Sequence, residues 1–373
     1  TDESTERLYD EMLFHRSTQV LQWSLPAMTL WAMKKGSEKQ FGEGSHVFPI
    51  WKDRLTSDTL VSTPNCDVIY GMGYLDLKKD GPTVIEVPPK LQGMLDDFWH
   101  RPLCDVGFVG PDKGEGGKYL ILPPGYEGEV PAGYFVVRPR TYDVWVFMRA
   151  SIAQGLEAAS KNVTDNLRIY PLARKDNPPK MEFISGSGKA FNTIHANDYT
   201  FYEHLNEVIQ NEPLDMLDPE TRGLFASIGM EKGKPFQPDA RMKKILTDAV
   251  AIANAAARSI VWYPRTDETM KGIRIYPDTD SAWLMGFLDK NVFFNGNDGK
   301  TMNSDARVMF HYPYTAVTPA MALTKAGAGS DYGIAYVDSK KMPFDGSKTY
   351  KLKLPANPPA KAFWALTMYD NQT

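Results

Sequence analysis

Two textures of apolar spacing alternate along the chain. Near the start, "STERLYDEMLFHRSTQVLQWSLPAMTLWAMKKG" places apolar residues at Leu8, Met12, Val20 and Leu21, with Ser4 and Thr5 as candidate N-caps and Pro26 interrupting the pattern. That predicts one helix, then a second helix or a kink at Pro26, because proline lacks a donor and crowds the preceding turn. From 60 to 150 the pattern shortens to "VIYGMGYLDL", "TVIEVP", "KYLILPP", "YFVVRP" and "DVWVFMRA", separated by "KKDGP", "GPDKGEGGK" and "PPGYEGEVPAGY". Such runs, recurring about every 10 to 20 residues between turn formers, predict an antiparallel β domain of sandwich or jelly-roll type.

Helical spacing returns between 151 and 265, in "SIAQGLEAASKN", "ANDYTFYEHLNEVIQN" and "PDARMKKILTDAVAIANAAARSIVWY". In the last of these Asp239 is the candidate N-cap, and Met242, Ile245, Leu246, Ala249, Val250 and Ala253 share a helix face. After 270 the short runs resume in "GIRIYP", "AWLMGF", "NVFFNGNDGK", "GIAYVD", "YKLKLP" and "AFWALTMYD", with Asn-Gly and Asp-Gly turns. The expected class is mainly β with α, an α+β chain of two antiparallel sandwich- or jelly-roll-like domains. Its divisions are an N-terminal helical segment (1–55), a first β domain (56–150), a helical middle layer (151–265) and a second β domain (266–373).

Composition narrows the function classes. A chain of 373 residues with 42% hydrophobic content is long enough to build real cores. The 42 basic and 46 acidic residues leave a net charge of −4 without a basic block. Nucleic acid and anionic membrane are therefore not expected partners, and no apolar run is long enough to predict membrane insertion. Numbering begins at Thr1 rather than Met, the mark that a removed leader would leave. Cys66 and Cys104 are the only cysteines, which allows one disulfide and excludes an all-thiolate metal site.

Four stretches resemble a known family: "STPNCDVIYGMGYLDL", "GKYLILPPGYEGEVPAGYFVVRP", "YTAVTPAMALTKAGAGSDYGIAYVDS" and "KTYKLKLPANPPAKAFWALTMYDNQT". Together they are similar to two-domain proteins of the domain-of-unknown-function families 1254 (N-terminal) and 1214 (C-terminal). The resemblance implies a bacterial and commonly exported protein, periplasmic or secreted rather than cytoplasmic, built of β-sandwich-like domains and helices. Thr63, Pro64, Asn65, Asp67 and Tyr70 match the family pattern, while Cys66 stands where relatives usually carry a small residue. Relatives also usually continue past "YDNQT", so a site that used that further segment would be incomplete here.

Few residues carry a chemical signal. Asn65 and Asp67 either brace a turn through side-chain to backbone bonds or, with Tyr70, form one wall of a site in which Asp67 is a base and the phenol a donor. The Cys66 thiol has no histidine beside it in sequence and an acidic neighbour, the wrong setting for a nucleophile. "DDFWHRPLCD" (96–105) is the densest cluster: His100 for proton transfer, Arg101 for an anionic oxygen and Trp99 as a flat wall, or else a solvated connection between strands. His195 and His204 lie nine residues apart, on different helix faces, so no metal is expected there. His311, Tyr312 and Tyr314 are either aromatic core or a pocket wall, and "GPDKGEGGK" and "ISGSGK" match neither a phosphate loop nor a nucleophile elbow.

Two functions fit. One is a hydrolase acting on a small, partly apolar substrate in an inter-domain cleft, with Asp67, Tyr70 and His100 as catalytic residues. Asn65, Trp99, Arg101, Arg149 and Tyr314 would then hold the substrate. No nucleotide, flavin or haem motif is visible, so no cofactor is expected and hydrolysis is favoured over redox chemistry. The other is a non-catalytic β-sandwich protein that binds a glycan or aromatic compound. Self-association into a homo-oligomer is expected in either case.

Overall fold

The computed structural model describes residues 1–296, 299–322, 330–354, 356–358, 360 and 364–370. One helix, α1 (Asp2–Phe41), runs through Pro26 without a break and is capped by Thr1, whose hydroxyl accepts the Ser4 N–H, rather than by Ser4 or Thr5. Pro26 has no N–H for the Gln22 carbonyl, yet burial overrides that loss. From Ser17 onward buried residues occupy every side of the helix, the signature of a helix packed inside a domain.

The first β region is laid out as β1 (Val47–Ile50), β2 (Thr59–Leu60), β3 (Val68–Asp76), a single turn α2 (Leu77–Asp80), β4 (Thr83–Val87), β5 (Gln92–Asp97), β6 (Pro102–Val106), β7 (Gly117–Ile121), β8 (Phe135–Val137) and β9 (Asp143–Ser151). The middle section supplies α3 (Leu156–Asn166), β10 (Arg168–Pro171), β11 (Glu182–Ser185), β12 (Phe191–Asn192), α4 (Thr200–Asn211), α5 (Pro219–Ala226) and α6 (Ala240–Trp262). A six-stranded sheet has the order β11–β1–β3–β9–β5–β6, and a four-stranded sheet the order β10–β4–β7–β8. Most pairs are antiparallel, but β1–β11, β7–β8 and β2–β12 are parallel. The section expected to be helical therefore also lends β10 and β11 to the two sheets, and β1 comes from the segment expected to be helical.

One apolar core is shared by both sheets, with Phe48, Ile69 and Val146 from the larger and Ile85, Tyr119 and Ile121 from the smaller. Gly71 and Gly73 of β3 make room for Phe48: a Cβ at either position would lie 2.5 Å or 2.8 Å from that ring. The opposite face of the six-stranded sheet, carrying Met72, Tyr74 and Trp145, is covered by α1, and α4 and α6 pack on α1 in turn. Both faces of β3 are thus buried, which is why its sequence reads as a continuous apolar run. Asp239 caps α6 as expected, and Leu246, Ala249, Val250 and Ala253 form its buried face. By length and composition alone α6 would be able to cross a membrane, but here that face lies on α1.

The C-terminal part differs most from expectation. Its described residues hold α7 (Ser304–His311), a single turn α8 (Pro319–Ala322) and one antiparallel pair, β13 (Leu284–Met285) with β14 (Gly333–Ile334). "GIRIYP" and "NVFFNGNDGK" contribute only isolated bridges, Arg274 to Leu284 and Asn295 to Met302. Residues 350–354 and 364–370 carry the alternation of strands, yet no ladder forms on them among the described residues. Tyr350, Leu352, Leu354, Trp364, Leu366 and Met368 are exposed there. Residues 297–298, 355 and 362–363 of the expected strands lie outside the described residues. A mixed α and β chain with an N-terminal helix is what stands.

Candidate functional site

The cluster from Asp96 to Asp105 folds as the tight connection between β5 and β6. Asp97 builds it: one carboxylate oxygen accepts the Trp99 N–H at 2.8 Å and the Arg101 N–H at 3.0 Å, and the other takes the Arg101 guanidinium at 3.3 Å. His100 occupies the left-handed region at φ 54° to complete the turn. Trp99 and Arg101 then leave it in one direction. The Trp99 indole N–H donates to Met216 Sδ at 3.0 Å, its ring stacks on Phe225 at 6.2 Å, and Arg101 donates to the Met216 carbonyl at 3.0 Å.

Met216 and Phe225 are the floor of a pocket of about 260 Å³ between the end of α4, α5 and the loop at 230–232. Ile209, Leu214, Leu217 and Met230 complete its apolar wall, and Arg222, Glu231 and Lys232 its polar side. Gln210 holds the loop in place, donating to the Glu231 carbonyl at 2.8 Å and accepting the Gly233 N–H at 2.8 Å. Trp99 and Arg101 are thus brought to this pocket, but they stand behind its wall, not inside it.

His100 takes another direction. Its ring is 2% exposed; Nδ1 donates to the Pro26 carbonyl at 3.1 Å, and Nε2 accepts the Ala316 N–H at 3.4 Å. An obligate acceptor on one nitrogen and an obligate donor on the other fix the tautomer. Burial pulls its pKa down to about 4, so it is neutral at physiological pH and has no ring nitrogen to spare for a substrate. His311 stacks on it at 5.5 Å, and burial holds that ring well below the usual histidine range. Arg307, one turn earlier on α7, donates to the Trp23 carbonyl at 2.7 Å. Asp96, fully buried on β5, accepts the Val317 N–H at 3.3 Å. Tyr314 lies in an aromatic cluster with Phe310 and receives a hydrogen bond from Tyr336 at 3.1 Å.

Asn65, Asp67, Tyr70 and Arg149 form a third group. Asn65 Oδ1 accepts the Asp67 N–H at 3.0 Å, a braced turn of the kind its sequence suggested, and the Tyr70 hydroxyl accepts the Asn65 N–H at 3.4 Å. Burial raises the Tyr70 phenol above its ordinary range. Arg149 pairs with Tyr70 across β3–β9, and no hydrogen bond or carboxylate within 4 Å engages its guanidinium among the described residues. It lines a space of about 20 Å³ with Gln92, Asp105 and Thr318. Burial pushes the Asp105 carboxyl up to about 6, against the Arg149 charge, and Thr318 donates to it.

The expected trio of Asp67, Tyr70 and His100 therefore does not converge. Tyr70 lies by Arg149, whereas both ring nitrogens of His100 are taken by Pro26 and Ala316. Sequence reasoning singles out none of Met216, Arg222 and Phe225, and takes Asp105 only as part of the 96–105 cluster. Asp105 closed the quoted cluster and offered a signal, whereas the pocket residues carry no motif and meet only through the fold. His204 stacks on Trp31 at 3.9 Å, and Cys66 and Cys104 are free thiols.

Fold and pocket together define a mixed α and β protein of two sheets and a helical layer, with a small, largely apolar pocket formed within the helical layer. Residues 46–171 match the family described as Protein of unknown function (DUF1254), and residues 329–373 match Protein of unknown function (DUF1214). The two matches fall in the order the resemblance implied, the first towards the N-terminus and the second towards the C-terminus. Among solved structures it is similar to the VPA0106 protein from Vibrio parahaemolyticus, with a TM-score of 0.54 and 14% identity over 82% of this chain and 68% of that one. That likeness speaks to the fold alone. An uncharacterised protein from Burkholderia cenocepacia matches at a TM-score of 0.23 and 9% identity, over 46% of this chain and 51% of that one, and carries no argument. No curated protein matches the chain.

Proposed function

We propose that this protein binds a small, partly apolar molecule, without turning it over, in the pocket between α4, α5 and the 230–232 loop. The observation that carries this reading is a cavity of about 260 Å³ whose floor is Met216 and Phe225. It exceeds the roughly 150 Å³ apolar cavity that holds benzene and approaches the roughly 300 Å³ lower bound of ordinary ligand sites. The test is a thermal-shift screen of single-ring and short aliphatic compounds on the full chain, beside Gly223→Phe. Gly223 lines the pocket, and a Cβ there would meet nothing within 4 Å, so the variant fills space without a backbone clash. Binders should raise the wild-type midpoint and leave the variant unmoved. Equal shifts in both proteins would place the ligand elsewhere.

A second reading keeps hydrolysis, now centred on Asp105. Its carboxyl, raised to about 6, lies beside Arg149 and a space large enough for a water. In this reading the carboxylate takes a proton from that water as the water oxygen bonds to the substrate's acyl carbon, the guanidinium holds the oxyanion that develops there, and the bond to the leaving group breaks as the Asp105 carboxyl returns the proton to it. A hydrolase panel run on wild type and Asp105→Asn decides it: turnover lost in the variant supports the reading, and turnover unchanged removes it.

A further inference from the structure

The geometry points to a small monocarboxylic acid with an aromatic or short aliphatic body as the ligand class of the α4–α5 pocket, its carboxylate held by Arg222. This inference rests on the pocket reading above. The polar side of the pocket carries Arg222, Glu231 and Lys232. Glu231 is already neutralised, since its carboxylate takes the Lys234 ammonium at 2.7 Å. Neither Arg222 nor Lys232 has a carboxylate within 4 Å among the described residues; Lys232 is occupied only by the uncharged Gln210 carbonyl at 2.8 Å. Arg222, partly buried on the same face of α5 as Phe225 and Ala226, is therefore a cation without a carboxylate partner among the described residues, in the wall of an apolar pocket.

Two further cations stand behind the wall: Arg101, which is paired with Asp97, and Arg140 donate to the Met216 and Asp215 carbonyls at 3.0 Å and 2.7 Å. Burial, and then the charge of Lys78, lower the affinity of Lys232 for its proton, as expected where like charges crowd. A guanidinium offers two parallel donors that match the two oxygens of a carboxylate. The volume limits the remainder of the ligand to about one ring or a chain of similar bulk.

Calorimetric titration of the full chain with benzoate and benzyl alcohol, and with octanoate and octanol, tests the class. Each acid should bind at least about tenfold more tightly than its alcohol, the value of one charge-assisted hydrogen bond. Arg222→Gln should abolish that preference while still binding the alcohols, and Gly223→Phe should bind none of the four. Alcohols binding as well as acids would overturn the carboxylate assignment and leave the pocket standing. Failure of all four on wild type, or unchanged binding in Gly223→Phe, would overturn the pocket itself. Circular dichroism of both variants separates lost binding from lost folding.

Discussion

His100 Nδ1 lies 3.1 Å from the carbonyl oxygen of Pro26, so a side chain in the β5–β6 turn fastens the middle of α1 to the sheet. Its other nitrogen takes the Ala316 N–H and ties the C-terminal part to the same point. The folded value of about 4 lies below the ordinary 6.5, so the unfolded chain binds the proton first as the pH falls. Stability conferred by the neutral ring is thus fully present above pH 6.5 and lost as the pH falls towards 4. The shift corresponds to about 3 kcal/mol. His100→Asn should lower the unfolding midpoint at pH 7.5 and flatten the acid limb of its pH profile. An acid limb as steep as the wild type's would show that other groups set it.

Glu212 acts on the other side of neutrality. Its fully buried carboxyl accepts the Tyr142 N–H at 2.5 Å and the Asp143 N–H at 3.2 Å. Burial, and then the nearby Asp143 charge, push its pKa up to about 8. A raised folded value means stability that is complete below 4.5 and lost as the pH climbs through 8. Glu212→Gln should remove most of the decline in unfolding midpoint between pH 6 and 9, with a gain of about 1–3 kcal/mol at the basic end. Hydrogen exchange at Tyr142 and Asp143 would report whether the amide keeps the same bonds.

Lys34 of α1 reaches Asp143 at the start of β9, at 2.7 Å, with both side chains largely buried. Although burial works against its charge, the Asp143 carboxylate holds the ammonium above its ordinary range. Lys34→Met leaves a buried carboxylate without its cation and should cost about 3–5 kcal/mol in urea unfolding. Adding Asp143→Asn to that variant should recover a large share. Additive losses in the double variant would mean that the two groups are not coupled.

Much of this architecture could be read from spacing, because local pattern and burial agree there. The Asp239 cap, the Leu246 to Ala253 face of α6 and the β3 and β9 runs all fold as their periodicity indicated. Where partners lie far along the chain the pattern was silent. Nothing near Glu182 or Ile169 announces that β11 and β10 join sheets begun at Val47 and Thr83. The alternation at 350–354 does not supply a strand to pair with. The site was less legible for the same reason. "DDFWHRPLCD" was correctly dense, but density reflected a braced turn and a buried strap, while the pocket beside Trp99 is assembled from unremarkable apolar residues that begin only at Ile209, far along the chain.

Gly223 separates stability from binding. It lies within α5, its carbonyl accepts the Ser227 N–H at 3.0 Å, and a Cβ at this position would meet nothing within 4 Å. Glycine in a helix interior costs roughly 1 kcal/mol relative to alanine, because it gives up more backbone freedom on folding. Gly223→Ala should therefore raise stability by about 0.5–1 kcal/mol in urea unfolding without a change in m-value. One methyl group at the rim leaves the Met216 and Phe225 floor intact, so the affinity for any pocket ligand should stay within about twofold. If Gly223→Ala instead lowered stability, α5 would need a backbone freedom that its helical hydrogen bonding does not require; if it stabilised the fold but abolished binding, the ligand would have to press directly on the Gly223 backbone.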